Sequence, residues 1–145
     1  IRNAFQFRLF LEREAAAVFA QTASDGAIAA LRASHEAIVA RARRAAETGA
    51  ADESLIADAE ATDQALHETI IDHLDNEIIA KAFRVNWIKI KLIRQDETRL
   101  NAELVEPVME DHLRIIAALE TRDPARAAAA MGAHISNARN RAIDM

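Results

Sequence analysis

Apolar residues recur every three or four positions from the start of the chain, the spacing of one helical face at about 100° per residue. Phe5, Leu11, Ala15, Val18 and Phe19 form the apolar side of a first helix over about 5–22, and Arg8 and Glu12 interrupt it. Ser24-Asp25-Gly26 breaks the pattern, and Asp25 can cap a second helix over about 26–47 that carries Ile28, Leu31 and Ile38 and stops at Thr48-Gly49. A third helix, about 52–74, opens on acidic residues that suit the positive end of its dipole. Its inward stripe reads Ile56, Ala59, Asp63, His67, Ile70 and Leu74. After the break at Asp75-Asn76, a fourth helix over about 76–97 aligns Ile79, Phe83, Asn86, Ile90 and Ile93. Ile88 to Leu92 alternates as a strand would, but no turn or hairpin partner lies nearby, so helix is the better reading. Residues 98–106 are less regular. Pro107, as the first residue of a fifth helix reaching about 121, and Asp123-Pro124, opening a sixth that reaches about 143, complete the pattern. The expected fold is all-α: a six-helix antiparallel bundle, one domain over 1–145, with its polar inward residues around a central cavity.

Composition agrees. Alanine is abundant, aromatics make up 4%, Tyr is absent, and there are only 3 Gly and 2 Pro, which favours helices over a sheet. No stretch approaches the roughly 18 apolar residues of a membrane span, so no membrane partner and a cytoplasmic location are expected. The lack of Cys excludes disulfides and thiolate chemistry. A net charge of −5 with few aromatics is a poor match to phosphate backbones or stacked bases. Ile1-Arg2-Asn3 is neither an initiator Met nor a signal peptide, and reads as an excerpt of a longer protein.

The polar residues on inward stripes carry the chemistry. His112 shares a face with Val108, Ile115, Ile116 and Leu119, and His134 with Ala127, Met131 and Ala138. With Asp63 and His67 they make three imidazoles and one carboxylate from three helices, a set that suits Zn²⁺, Ni²⁺, Mn²⁺ or Fe²⁺ rather than Ca²⁺ or Cu⁺. Alone, Asp63 and His67 read equally as a hydrogen-bonded pair one turn apart. The joint pattern resists that, because burying so many polar groups without partners costs several kcal/mol. Periodicity leaves a shared metal and a self-satisfied polar core both open. Arg8, Asn86 and Arg141 also face inward and are candidates for reading a small ligand, with Asn137 at the edge. Arg8 can instead pair with Glu12, Asn86 can serve as a packing amide, and Arg141 can be a solvated arginine. His35 and His73 fall off the stripes and are expected at the surface; Trp87 reads as core or dimer-interface filling.

Over almost its whole length the chain resembles the FCD domain, the C-terminal effector-binding domain of the FadR subfamily of GntR transcription regulators. The resemblance rests on Arg8-Leu9-Phe10-Leu11-Glu12 near the start, on Asp63 and His67 followed by Asn76, and on the run Glu110-Asp111-His112, Ala117-Ala118-Leu119, Arg122-Asp123-Pro124, Ala127, Met131, His134. The last two histidines stand 134 − 112 = 22 apart, the family's interval. Leu66 replaces the family's usual Phe, and Arg122 a frequent Gly, a change expected to affect only the turn. The resemblance implies that Asp63, His67, His112 and His134 hold a divalent metal, with zinc the first choice, and that a small carboxylic acid completes the coordination. It also implies a homodimer whose DNA binding resides in winged helix-turn-helix domains attached before residue 1.

That makes a non-enzymatic ligand sensor the favoured reading. A helical metalloenzyme of hydrolase type competes with it, but no spare carboxylate except Glu12 stands on the inward stripes to act as a general base. A purely structural dimerisation module is the third possibility.

Overall fold

Breaks in the apolar pattern become helix boundaries. The computed structural model describes residues 1–93 and 102–144, and these form α1 (Arg2–Thr22), α2 (Asp25–Thr48), α3 (Leu55–Asp72), α4 (Glu77–Ile93), α5 (Ala102–Glu120) and α6 (Pro124–Asp144). No strand occurs among the described residues, and Ile88–Leu92 is helical despite its alternation. The stretch expected to carry the fourth helix on to 97, the irregular residues 98–101 and the side chain of Ile93 lie outside the described residues.

Local chemistry sets the ends. Ser24, not Asp25, caps α2: its Oγ accepts from the Ala27 N–H at 3.0 Å, and Asp25 becomes the first helical residue. Gly49 ends α2 with φ +69°, a conformation glycine adopts without strain. Asp52 and Glu53 precede α3 rather than opening it, and the Asp52 carboxylate is gripped by both Nε and Nη2 of Arg41. Asn76 Oδ1 accepts from Ile79 N–H at 3.1 Å ahead of α4, and Asp123 Oδ1 from Ala125 N–H at 2.9 Å ahead of α6. Pro107 does not open α5, as its sequence position suggests, but lies inside it. A proline there forfeits one backbone hydrogen bond, which the burial of Val105, Val108 and Met109 on the same helix offsets.

α1 packs along α6 and α2 along α5, and α5 and α6 form a helical hairpin. Among the described residues α1 and α2 make no side-by-side contact, so each finds its partner in that hairpin. α3 lies against α1, α2 and α5, with α4 outside it on α1 and α3. Val18, expected in the core, is exposed; α1 instead buries Phe5, Arg8, Glu12, Ala15, Ala16 and Phe19. The apolar interior divides in two. The larger cluster holds Phe19, Leu31, Leu66, Phe83, Ile115 and Met131 among others, and the smaller holds Ile38, Val39, Leu55, Ala59, Val105, Val108 and Met109. The buried polar residues, Arg8 and Glu12 of α1, His35 of α2, His67 of α3, His112 of α5 and His134 of α6, form a layer of their own.

Arg122 does more than shape its turn. It has φ +61°, which costs a non-glycine residue about 1–2 kcal/mol. In return its guanidinium donates to the carbonyl of Ala23 and pairs with Asp25, joining the α5–α6 turn to the α1–α2 turn. Arg122→Ala keeps the strained backbone and loses these bonds, an expected loss of about 1–2 kcal/mol in urea denaturation. Arg122→Gly relieves the backbone and is expected to lose less.

Candidate metal centre

One turn of α3 places Asp63 and His67 on the same side, and α5 and α6 bring His112 and His134 to meet them. His67, His112 and His134 are 1%, 0% and 4% exposed, whereas Asp63 is only partly covered, so one edge of the cluster reaches solvent. One ligand atom from each of the four residues lies within 4.8 Å of all the others. Asp63 Oδ1 is 3.1 Å from His112 Nε2 and 3.6 Å from His67 Nε2, and the Nε2 atoms of His112 and His134 are 3.2 Å apart.

Each imidazole is held from behind through Nδ1. Glu12, buried on α1, accepts from His67 Nδ1 and is itself bonded by Arg8 Nε at 2.7 Å. Asp111 Oδ2 stands 3.5 Å from His134 Nδ1. His112 Nδ1 meets His35 Nε2 at 2.8 Å, and His35 Nδ1 meets the Leu31 carbonyl at 2.7 Å. A carboxylate can only accept, so His67 and His134 carry their protons on Nδ1 and turn bare Nε2 lone pairs to the centre, the arrangement usual for metal-ligating histidine.

The donor set fits a divalent cation. His67 Nε2 is buried without a hydrogen-bond partner, and only Trp87 Nε1 shares that state among the described residues. Two nitrogens bound at about 2.0–2.1 Å to one ion lie roughly 2.9–3.4 Å apart for angles of 90–109°, and the 3.2 Å between His112 and His134 falls within that range. Acceptor lone pairs turned toward one another at such distances are relieved by a positive charge between them. This buried Asp-His₃ group can therefore hold a metal ion.

Electrostatics point the same way. Burial disfavours charge on both carboxylates, yet Arg8 and His67 outweigh it at Glu12 and hold its pKa down at about 2, while His112 and His67 keep Asp63 well below the usual range. Burial also disfavours charge on His67, but Glu12 and Asp63 prevail and raise its pKa. Desolvation lowers His134 to about 3, and desolvation with the neighbouring His112 lowers His35 to about 4. These two depressed histidines set a pH dependence. As pH falls below the ordinary 6.5, the unfolded chain takes up protons that the folded protein refuses, so stability is lost from about pH 6.5 down through pH 4 and then 3. The slope is roughly 1.4 kcal/mol per pH unit for each proton taken up on unfolding. Urea denaturation of chelator-treated protein at a series of pH values should follow that fall; a flat profile would contradict buried neutral imidazoles.

The expected ligand-reading residues are placed differently from one another. Arg8 is buried, with Nε on Glu12 and its guanidinium 4.9 Å from the Trp87 ring. Arg141 Nη1 is 3.9 Å from Asp111, the carboxylate behind His134. Asn86 donates from Nδ2 to the Ala4 carbonyl at 3.0 Å and lines an α1–α4 groove of about 580 Å³ that none of the four cluster residues borders. Asn137 is exposed, 3.5 Å from Asp111. His73 is exposed as expected, bonded to Thr22, and Trp87 packs on Phe83 and on His67.

His35 corrects the sequence reading. It is fully buried, not at the surface, and supports a cluster histidine. The signal was present: Ile28, Leu31, His35 and Ile38 step by three, four and three residues, which places His35 on the apolar stripe of α2. Asp111, which the sequence marked only as part of a motif, is a second supporting residue.

The FCD domain family model matches residues 3–137, and the chain belongs to that family, the effector-binding domains of GntR-type transcription regulators. No curated protein matches the chain.

Proposed function

We propose that this domain senses a small organic acid through a metal held by Asp63, His67, His112 and His134, within a regulator of the FadR subfamily. The observation that carries the reading is the convergence of imidazole nitrogens on Asp63, each imidazole braced from behind by a separate group. Zinc is the first choice, with nickel, manganese or iron compatible with the same donors. When bound, the ion supplies a Lewis-acidic anchor for a carboxylate, with positions left open if it takes more than four ligands.

The chain's own residues do the rest. The apolar clusters exclude water from the polar layer, which strengthens each charge contact within it. Arg8 and Arg141 add positive charge beside the cluster and suit a hydroxy or sugar acid. Asn86, with its amide engaged by Ala4, is left out of this reading. Binding that favours one arrangement of α1 over another would alter the spacing of winged helix-turn-helix heads joined before residue 1, in a cytoplasmic homodimer.

A hydrolase finds less support, since among the described residues the one buried carboxylate outside the cluster, Glu12, is pinned between Arg8 and His67 and held at about pKa 2, too acidic for a base at neutral pH. The test is elemental analysis followed by thermal melting of metal-loaded protein with a panel of hydroxy and sugar acids. An acid at 100 times its Kd should add about 2.7 kcal/mol. Protein shown to contain metal, yet unmoved by every acid, would count against the sensor.

A further inference from the structure

We propose that His35 is a positioning residue that fixes which nitrogen of His112 faces the cluster. The inference deepens the metal reading above and rests on it. Its basis is a hydrogen-bond chain whose direction the Leu31 carbonyl sets. The Leu31 carbonyl can only accept, and His35 Nδ1 lies 2.7 Å from it. Ser34 Oγ is 3.3 Å from the same nitrogen, but its hydroxyl donates to that carbonyl at 2.9 Å, so its proton is not offered to His35. His35 therefore carries its proton on Nδ1, and its Nε2 must accept.

The donor is His112 Nδ1, 2.8 Å away. With that proton placed, His112 Nε2 is bare where it faces Asp63 Oδ1 at 3.1 Å and His134 Nε2 at 3.2 Å. Moving the proton to Nε2 would let it meet Asp63 Oδ1, but would leave two acceptors, His35 Nε2 and His112 Nδ1, facing each other at 2.8 Å in a fully buried contact.

His35 thus does for His112 what Glu12 does for His67 and Asp111 for His134, with one difference: it accepts without adding negative charge. Its anchor is local. Leu31 lies one turn earlier on α2, so the helix that carries His35 also sets the direction of the chain.

Two substitutions separate positioning from packing. His35→Gln keeps an acceptor near the position of Nε2; His35→Leu fills similar space with none. In competition with a chromogenic chelator, His35→Leu is expected to bind Zn²⁺ about 10- to 100-fold more weakly than the parent, and His35→Gln to stay within about threefold of it. Equal weakening in both variants, or none in either, would overturn the positioning role. Nitrogen-15 spectra of the imidazoles in the metal-free parent give a readout independent of loading. The expected result is His112 and His35 both protonated at Nδ1, and a proton on His112 Nε2 would overturn the inference. A parent that binds no Zn²⁺ while showing the expected His112 tautomer would sink the metal reading and leave His35's hold on His112 intact.

Discussion

Glu12→Ala is expected to destabilise the protein by about 3–5 kcal/mol, the usual result of removing one partner of a buried ion pair. The carboxylate is 1% exposed and serves two groups at once, accepting from Arg8 and from His67. Its loss strands the Arg8 guanidinium, itself only 6% exposed, between Phe5 and Trp87 without the carboxylate that pairs with it. At about 2–4 °C per kcal/mol for a domain of this size, the melting temperature should drop by roughly 6–20 °C. The double change Arg8→Met with Glu12→Leu removes both charges and should recover most of that loss, because apolar replacements of buried pairs are often neutral or stabilising. It should not recover metal affinity, since His67 would still lack its acceptor; a deficit of about 10- to 100-fold is expected. If the double variant regained full affinity, Glu12 would be a charge partner of Arg8 and nothing more.

The second large effect is on metal binding itself. Zn²⁺ at about 1,000 times its Kd should add about 4.1 kcal/mol to the stability of the parent. That corresponds to roughly 8–16 °C in melting temperature. His112→Ala removes the cluster side chain nearest to both Asp63 and His134 and should abolish the zinc-dependent shift. Fluorescence provides a second measurement, because the single tryptophan, Trp87, lies 5.4 Å from the His67 ring, centroid to centroid. Its emission should change on zinc addition in the parent and not in the variant. A zinc shift that survives in His112→Ala would move the site away from this cluster.

Much of this was legible in the residues because the relevant signals are periodic. Asp63, His67, His112 and His134 each sit on a stripe of buried apolar neighbours, and the structure brings the four together. The helix count and most boundaries followed from Gly49, Asn76 and Asp123-Pro124, which act through neighbouring backbone and need no distant partner. What failed depended on tertiary choice. Ser24 and Asp25 are both competent caps, and the pairing of Asp25 with Arg122, 97 residues away, accompanies the choice of Ser24. Pro107 marks a helix start by local rule, yet tertiary burial carries α5 one turn further back. His35 is a different failure: it steps with Ile28, Leu31 and Ile38, so the period was readable, but the stripe was drawn from its apolar members alone and His35 was set off it.

The pairing of α1 with α6 also bears on how the chain assembles. These helices stand at opposite ends of the sequence, separated by about a hundred residues, and closing such a span costs about 4 kcal/mol in chain entropy beyond a constant. During synthesis α1 emerges about a hundred residues ahead of its principal partner, α6. Until then Arg8 and Glu12 have each other but Phe5 and Phe19 lack the cover of the finished bundle. Folding rate should accordingly depend on how soon α6 becomes available, and a nascent chain stalled before Pro124 would expose an alanine-rich apolar helix to the chaperones that patrol the ribosome exit.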